Sequence, residues 1–417
     1  MGSKPGLSRI KKLLQALGNP EKKLKYVHIA GTNGKGSTSL IVANILSRAG
    51  LKVGRFTSPH IHSYLERFTI DGWTIPASQL KIYINKIEQV IRSEFADNIA
   101  RPTEFEVLTA IAFEWFADNE VDIAVMEVGM GGIYDSTNVI VPEISIITSV
   151  AIDHTNFLGN TLAEITHNKA GIIKRKVPVV IGKMPFEASQ IIENYAYQNN
   201  ASLFKDNLVN VLQVRSCSLL GYELDLKIGD NILENIFFAL RGDYQLENLT
   251  TALTAISALQ EKGYFINETH IRQALKSLEL PGRLEVISNK PLVIIDVAHN
   301  PHAAQALNQA LEKLLPHKNK LLLCGIVDDK DAYSILKHLG HNTNACIITR
   351  PEGRRGNDWQ RLQPVWQELY PDKPAYLEED IVSAVNYSLA KLDKSEYLLM
   401  CGSFFIIDKA RRVFTTP

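Results

Sequence analysis

Residues 31–38, "GTNGKGST", combine three glycines, one lysine and three hydroxyl side chains within eight positions. That mixture suits an anion: glycines at 31, 34 and 36 let backbone N–H groups approach closely, and Lys35 can reach β and γ phosphate oxygens. The literal phosphate-loop pattern, G-x-x-x-x-G-K-[ST], is nevertheless broken. With Gly34-Lys35 as the G-K pair, a glycine is due at 29 and a hydroxyl at 36, where the chain has Ile29 and Gly36. The hydroxyls arrive one step later, at Ser37 and Thr38. A ligand-free glycine turn is the competing reading, disfavoured because an apolar run precedes the loop and a helical pattern follows it.

A nucleotide phosphate implies magnesium and hard oxygen ligands. Glu127 ends the apolar run "VDIAVMEV" and is followed by "GMGG", which puts a carboxylate where parallel strands deliver their ligands. His154 in "SVAIDHTNFLG" has the chemistry of a metal ligand, although a lone histidine is more often structural. Ser58 in "TSPH" and Lys169 in "NKAGIIK" are, taken singly, ordinary loop and helix residues. Asp296, His299 and Asn300 in "VIIDVAHNPHAA" follow another strand-like run, and Arg283 in "PGRLE" could clamp a transferring phosphoryl group.

These residues need strands to carry them. Apolar, β-branched runs at 25–30, 121–128, 144–150 and 177–182 predict one buried parallel sheet, with helices over "SLIVANILSRAG", ending at Gly50, "ASQLKIYINKIEQVIRSEF" and "FEVLTAIAFEWFAD". From about 205 to 240 short alternating segments predict antiparallel strands appended to that sheet. A helical block covers 246–277, and α/β alternation restarts with "KLLLCGIV", "NACIITR", "PAYLEE" and "EYLLMCGS". We expect two α/β domains, 1–286 and 287–417, with the boundary near 284–290.

The totals agree with two domains, since 417 residues exceed the usual size of one core. Lys plus Arg (45) equals Asp plus Glu (45), leaving no basic field to attract nucleic acid or an anionic membrane. No apolar stretch reaches the ~18 residues of a membrane span. Cys217, Cys324, Cys346 and Cys401 form no C-x-x-C pair and are expected as buried, reduced thiols in a cytoplasmic protein. The opening Met-Gly-Ser is a pattern that cloning also leaves, so the sequence leaves open whether this start is native.

Taken in order, "AGTNGKGST", "TSPH" with "ERF", "EVGMGG" with "DSTNV", "DHTNFLGNTLAEI" with "KAGI", "PGRLE", "DVAHNP", "GIVDDKDA" and "CGSFF" closely resemble the folylpolyglutamate synthase and dihydrofolate synthase family, relatives of the Mur ligases. The resemblance spans about 30 to 405. It implies a P-loop ATPase-like domain with a parallel sheet plus a small antiparallel sheet, then a Rossmann-like glutamate-ligase domain, with the nucleotide between them. By position, Gly31, Thr32, Asn33, Gly34, Lys35, Gly36, Ser37 and Thr38 would hold ATP together with Asn248, Arg283, Asp296 and His299. Ser58, Glu127 and His154 would hold magnesium, expected as two ions. Lys169 matches a lysine carbamylated in relatives, and with Lys35, His154 and Arg283 completes the implied catalytic set. Thr103, Glu104, Phe105, Glu106, Tyr134, Asp135 and Ser136 would face the pterin; without the resemblance, core or capping roles are the favoured reading of these residue types.

The resemblance implies an ATP-dependent ligase, expected to be monomeric, that adds L-glutamate to dihydropteroate, to folates or to both through an acyl phosphate. A monofunctional folylpolyglutamate synthase is the alternative. A P-loop kinase or NTPase leaves "PGRLE" and "DVAHNP" unexplained, and a Mur ligase proper would need a UDP-binding domain before residue 25. Departures from the family pattern are Tyr244 for a histidine, Val297 for a glycine, Asn168 for a glutamate and Ile133 for an arginine common there. The segment before "GLSRIKKLLQALG" is also short, which weakens the case for dihydropteroate.

Overall fold

The computed structural model describes residues 6–95, 101–205 and 208–415; the Met-Gly-Ser start lies outside them. The chain divides into two compact units, one of residues 1–216, 223–239 and 245–278, the other of 217–222, 240–244 and 279–417. The boundary expected near 284–290 therefore lies too late. It falls inside a paired strand, Glu285–Asn289, and the continuous part of the second unit begins at Glu279.

In the first unit an eight-stranded sheet is built from β1 (Tyr26–Ala30), β2 (Val53–Phe56), β3 (Phe68–Ile70), β4 (Trp73–Thr74), β5 (Ile123–Glu127), β6 (Ile144–Ile147), β7 (Val179–Ile181) and β8 (Leu203–Lys205). Their order is β4-β3-β2-β5-β1-β6-β7-β8. The four apolar runs read as one sheet are adjacent and parallel. Every residue of β1, β5, β6 and β7 is buried, as continuous apolar strands covered on both faces must be. β3 and β4 add an antiparallel edge beside β2.

The alternating stretch after 205 is not appended to this sheet. It forms one of its own, from β9 (Val209–Ser218), β10 (Gly221–Ile228) and β11 (Asn231–Phe238). Two-residue connections force neighbouring strands there to pair antiparallel.

The described helices of this unit begin with α1 (Ser8–Ala16), α2 (Lys35–Arg48), α3 (Ala77–Glu94) and α4 (Glu104–Asp118). They continue with α5 (Thr155–Leu158), α6 (Leu162–Ala170), α7 (Phe186–Gln198), α8 (Asp243–Glu261) and α9 (Glu268–Lys276). α2 runs from the glycine loop and stops at Arg48; Gly50, at φ +90°, donates its N–H to Ser47 O and closes the helix. α4 lays Phe113 and Phe116 into a core with Phe56 and Phe68, all fully buried.

The second unit carries β12 (Glu285–Asn289), β13 (Leu292–Ile295), β14 (Lys320–Cys324), β15 (Thr343–Ile348), β16 (Ala375–Leu377) and β17 (Tyr397–Cys401), in the order β12-β13-β17-β14-β15-β16. All pairings are parallel except β12 with β13. α10 (Pro301–Leu314), α11 (Ala332–Leu339), α12 (Leu362–Leu369), α13 (Ile381–Lys391) and α14 (Phe404–Thr415) complete it. Cys324, Cys346 and Cys401 are buried and unbridged as expected, whereas Cys217 is only half-buried.

Candidate active site

The glycine loop follows β1 and enters α2, so the first-turn N–H groups of a 14-residue helix point into it. Gly34, the N-cap, has φ +84°, and a Cβ there would lie 2.2 Å from Asn248 Oδ1. Asn248 of α8 thus lies directly against the loop. Lys35 Nζ donates to the carbonyls of Gly31 and Thr32 at 3.0 and 3.2 Å.

Residues 148–151, just past β6, pin the loop and were not singled out from the sequence. Thr32 N–H donates to Ser149 O at 2.8 Å, and the Thr32 hydroxyl donates to Ala151 O at 3.1 Å. Asn33 O accepts from the Thr148 and Ser149 hydroxyls at 2.6 and 3.0 Å. A hydroxyl pair immediately after an apolar strand was the available signal.

A small cavity brings Lys35 and the loop together with residues 128–131, Asp153, His154 and Lys169. His154, in the left-handed region at φ +53°, caps the short α5 and approaches Asp153 to 4.0 Å. Lys169 is buried near the end of α6. Burial, and then the charge of Lys35, pull its ammonium down to about 7, against the opposing pull of Asp153 and Asp135.

Glu127 is buried at the end of β5, and a Cβ on Gly36 would stand 3.8 Å from its Oε2. Two arginines stand near Glu127: Arg67, in "ERF", and Arg55, which escaped the sequence reading. Arg55 on β2 is in register with Val125, so it shares a sheet face with Glu127 two residues on. Burial lowers the pKa of both Arg55 and Arg67, while the Glu127 charge holds both up. A charged residue inside the apolar "VGRF" was the clue. Ser58 lies in the loop after β2, outside the cavity lining.

On the expected pterin side, several residues serve the fold. Thr103 caps α4 and Glu106 closes the capping box. Glu106 also pairs with Arg9 at 3.1 Å. Glu104 accepts from the Tyr64 hydroxyl at 2.7 Å. Phe105 packs beside Phe56 and over Gly129, where a Cβ would be 2.5 Å from its Cζ. Tyr134 is exposed.

Asp135 is buried and accepts four hydrogen bonds, from the N–H groups of Gly129, Met130 and Thr137 and from the Thr137 hydroxyl. Burial pushes its carboxyl up and those donors pull it down. With both oxygens doubly engaged, Asp135 holds its own loop and has no lone pair left over for ring N–H groups. Ser136 bonds Thr109 at 2.6 Å.

The second unit holds its own cluster. Asp296 accepts from Leu284 N–H at 2.9 Å, Ala298 N–H at 2.7 Å and the Tyr244 hydroxyl at 3.4 Å. Tyr244, standing where the family has histidine, thus keeps a polar reach to Asp296. Phe404, the first phenylalanine of "CGSFF", lies under the Arg283 guanidinium at 5.4 Å and beside the His299 ring at 5.6 Å. Asn300 caps α10.

Residues 29–256 match the Mur ligase middle domain and residues 282–404 the Mur ligase glutamate ligase domain. Those two domains in this order define an ATP-dependent amide-forming ligase. A dihydrofolate synthase/folylpolyglutamate synthase from Bacillus subtilis is 31% identical over 423 residues, covering 99% of this chain and 95% of its own. A Mycobacterium tuberculosis folylpolyglutamate synthase complexed with ADP and AMPPCP superposes with a TM-score of 0.92 at 32% identity, over 99% and 96% of the two chains. Escherichia coli FolC in complex with DHPP and ADP gives 0.87 at 29%, over 100% and 94%. The chain belongs to the folylpolyglutamate synthase/dihydrofolate synthase family. Among the described residues, no helix is long and apolar enough to cross a membrane.

Proposed function

We propose that this enzyme joins L-glutamate to dihydropteroate and to folates, with ATP as the activating substrate. The observation that carries this reading is the cavity where the Lys35 loop, His154 and the buried Lys169 converge. The substrate carboxylate attacks the γ phosphorus of ATP and ADP leaves. The glutamate amine then attacks the acyl carbon of the resulting acyl phosphate, forming the amide and releasing inorganic phosphate. Lys35 and the α2 N–H groups hold the phosphates, with Asn248 against the loop; Arg283, Asp296 and His299 are proposed to act toward the nucleotide and the moving phosphoryl. Phe105 and Tyr134 offer aromatic surface to a flat heterocycle, with Asp135 fixing the loop between them.

The donor set fits magnesium, proposed as two ions. Glu127 presents a buried carboxylate beside the first turn of α2, and Thr38 Oγ1 is buried there with no protein partner. Ser58 and His154 would complete the ligands. No group of three or more His, Cys, Asp or Glu is gathered among the described residues. Such a site would take its remaining ligands from phosphate and water, as magnesium prefers. Bound there, magnesium supplies positive charge to the phosphates.

A lysine whose pKa is pulled to about 7 exposes a neutral amine near neutral pH, the form that adds carbon dioxide. We therefore propose Lys169 as carbamylated; bicarbonate depletion should lower turnover and resupply should restore it. The unbridged cysteines suit a reducing, cytoplasmic setting, and we propose a monomer, checked by sedimentation.

The deciding assay is ADP release with dihydropteroate or tetrahydrofolate, each with and without L-glutamate. Release that ignores glutamate would point to an NTPase instead. Response to tetrahydrofolate alone would make the enzyme monofunctional.

A further inference from the structure

His28 lies in the middle of β1, fully buried, between Met126 of β5 and Ser145 of β6. The proposed reaction gives it no task. Its Nε2 is 2.8 Å from Thr137 Oγ1, and Thr137 Oγ1 donates to Asp135 Oδ1 at 2.6 Å. These distances fix the direction of the chain. The threonine has one proton and Asp135 takes it, so Thr137 must accept from an Nε2–H of His28. The imidazole is then neutral with a bare Nδ1, which is buried and has no partner. The surroundings agree: burial, and then the charge of Lys174, pull its pKa down to about 3. Lys174 is itself engaged by Asn138, through Oδ1 at 2.7 Å.

The far end of the chain is the substrate-side loop. Asp135 Oδ2 accepts the N–H groups of Gly129 and Met130, both at 3.0 Å. Those residues line the Lys169 cavity, and Gly129 supports the Phe105 ring. Neighbouring side chains fix the same segment laterally. Ser136 is tied to Thr109, whose hydroxyl donates to Phe105 O at 2.7 Å. Asn138 Nδ2 donates to Ile133 O and Gly171 O, both at 3.1 Å. The His28 link ties it through side chains to the central strand of the sheet, beside the backbone bond from Val128 N–H to Ile29 O.

We propose that His28 is a positioning residue: through Thr137 and Asp135 it sets the height of the 129–134 loop over the sheet, and with it the surface that Phe105 and Tyr134 offer the heterocyclic substrate. The second half of this statement rests on the pterin reading above; the first does not.

The test uses the full-length enzyme with His28→Phe, which removes the donor, Thr137→Val, which removes the relay, and His28→Gln, which keeps an N–H near Nε2. Without ligands, amide exchange at Gly129 and Met130 should quicken about tenfold in the first two, the cost of one lost buried hydrogen bond. It should stay near wild type in His28→Gln, while Ile123–Met126 is unchanged in all three. In turnover, KM for the pterin substrate should rise about tenfold in His28→Phe and Thr137→Val, with KM for MgATP within twofold.

Unchanged exchange at 129–130, or an equal rise throughout β1 and β5, would overturn the positioning role. Faster exchange with an unaltered pterin KM would overturn its link to substrate. If wild-type enzyme shows no glutamate-dependent turnover with any pterin, the proposed function fails, and exchange alone still decides the role of His28. Should His28→Phe not fold, Thr137→Val carries the same two readouts.

Discussion

Replacing Gly36 with alanine should separate stability from activity. The residue lies in the first turn of α2, where alanine is favoured over glycine by about 0.5–1 kcal/mol. Beyond its chain neighbours and the backbone of α2, a Cβ would meet one heavy atom of the described residues within 4 Å, Glu127 Oε2 at 3.8 Å, which is ordinary contact. Gly36→Ala should therefore fold and melt about 2 °C higher, the shift expected for that gain in a unit of this size. Glu127 is proposed to hold magnesium, which would need room beside its carboxylate, and the methyl group narrows that room on the Gly36 side. Glutamate-dependent ADP release should fall about 100-fold, equivalent to roughly 2.7 kcal/mol in the barrier. Calorimetry and the ADP assay on the same preparation read both quantities. A raised melting temperature with activity within threefold of wild type would refute the reasoning, because the space between Gly36 and Glu127 would then lie outside the site.

Gly34→Ala combines φ +84° with a 2.2 Å clash against Asn248, so it should destabilise by about 1–2 kcal/mol and raise KM for ATP about tenfold, measured by urea unfolding and initial rates. With bicarbonate removed, so that Lys169 carries its free amine, this residue makes stability pH-dependent in a defined direction. Its folded pKa of about 7 lies below the unfolded value near 10.4, so the unfolded chain binds more protons across that window and stability rises with pH there. The advantage of Lys169→Met over wild type should be greatest at and below about pH 7 and shrink toward pH 10; an advantage independent of pH would mean the amine is well solvated. Arg9→Met leaves the nearly buried Glu106 carboxylate without its cation and should cost about 3 kcal/mol in urea unfolding, with a much smaller loss if the pair is solvated.

The parallel core was legible because β1, β5, β6 and β7 are continuous apolar runs, and such runs admit few other homes. The edge strands β3 and β4 were not, since "FTI" and "WT" are too short to show a period. The three-stranded sheet was read correctly as strands and wrongly attached, because alternation specifies pairing but not the neighbour. At the site, Lys35 and Glu127 stood out by type and place. Thr148, Ser149 and Arg55 did not, because their importance comes from elements distant in sequence. Asp135 shows the opposite case: its acidity drew attention to ligand recognition, and its four internal donors became visible only once residues 129, 130 and 137 were folded around it.

Lys35 is held by two carbonyl oxygens of its own loop. An arriving ligand must outbid that internal grip, and only a dense anionic group has the field to do so. The loop therefore works as a charge filter: adenosine, offering no phosphate, leaves the lysine where it rests, and each added phosphate tilts the contest further. Ranking by tail length is the behaviour this arrangement predicts for the first unit on its own.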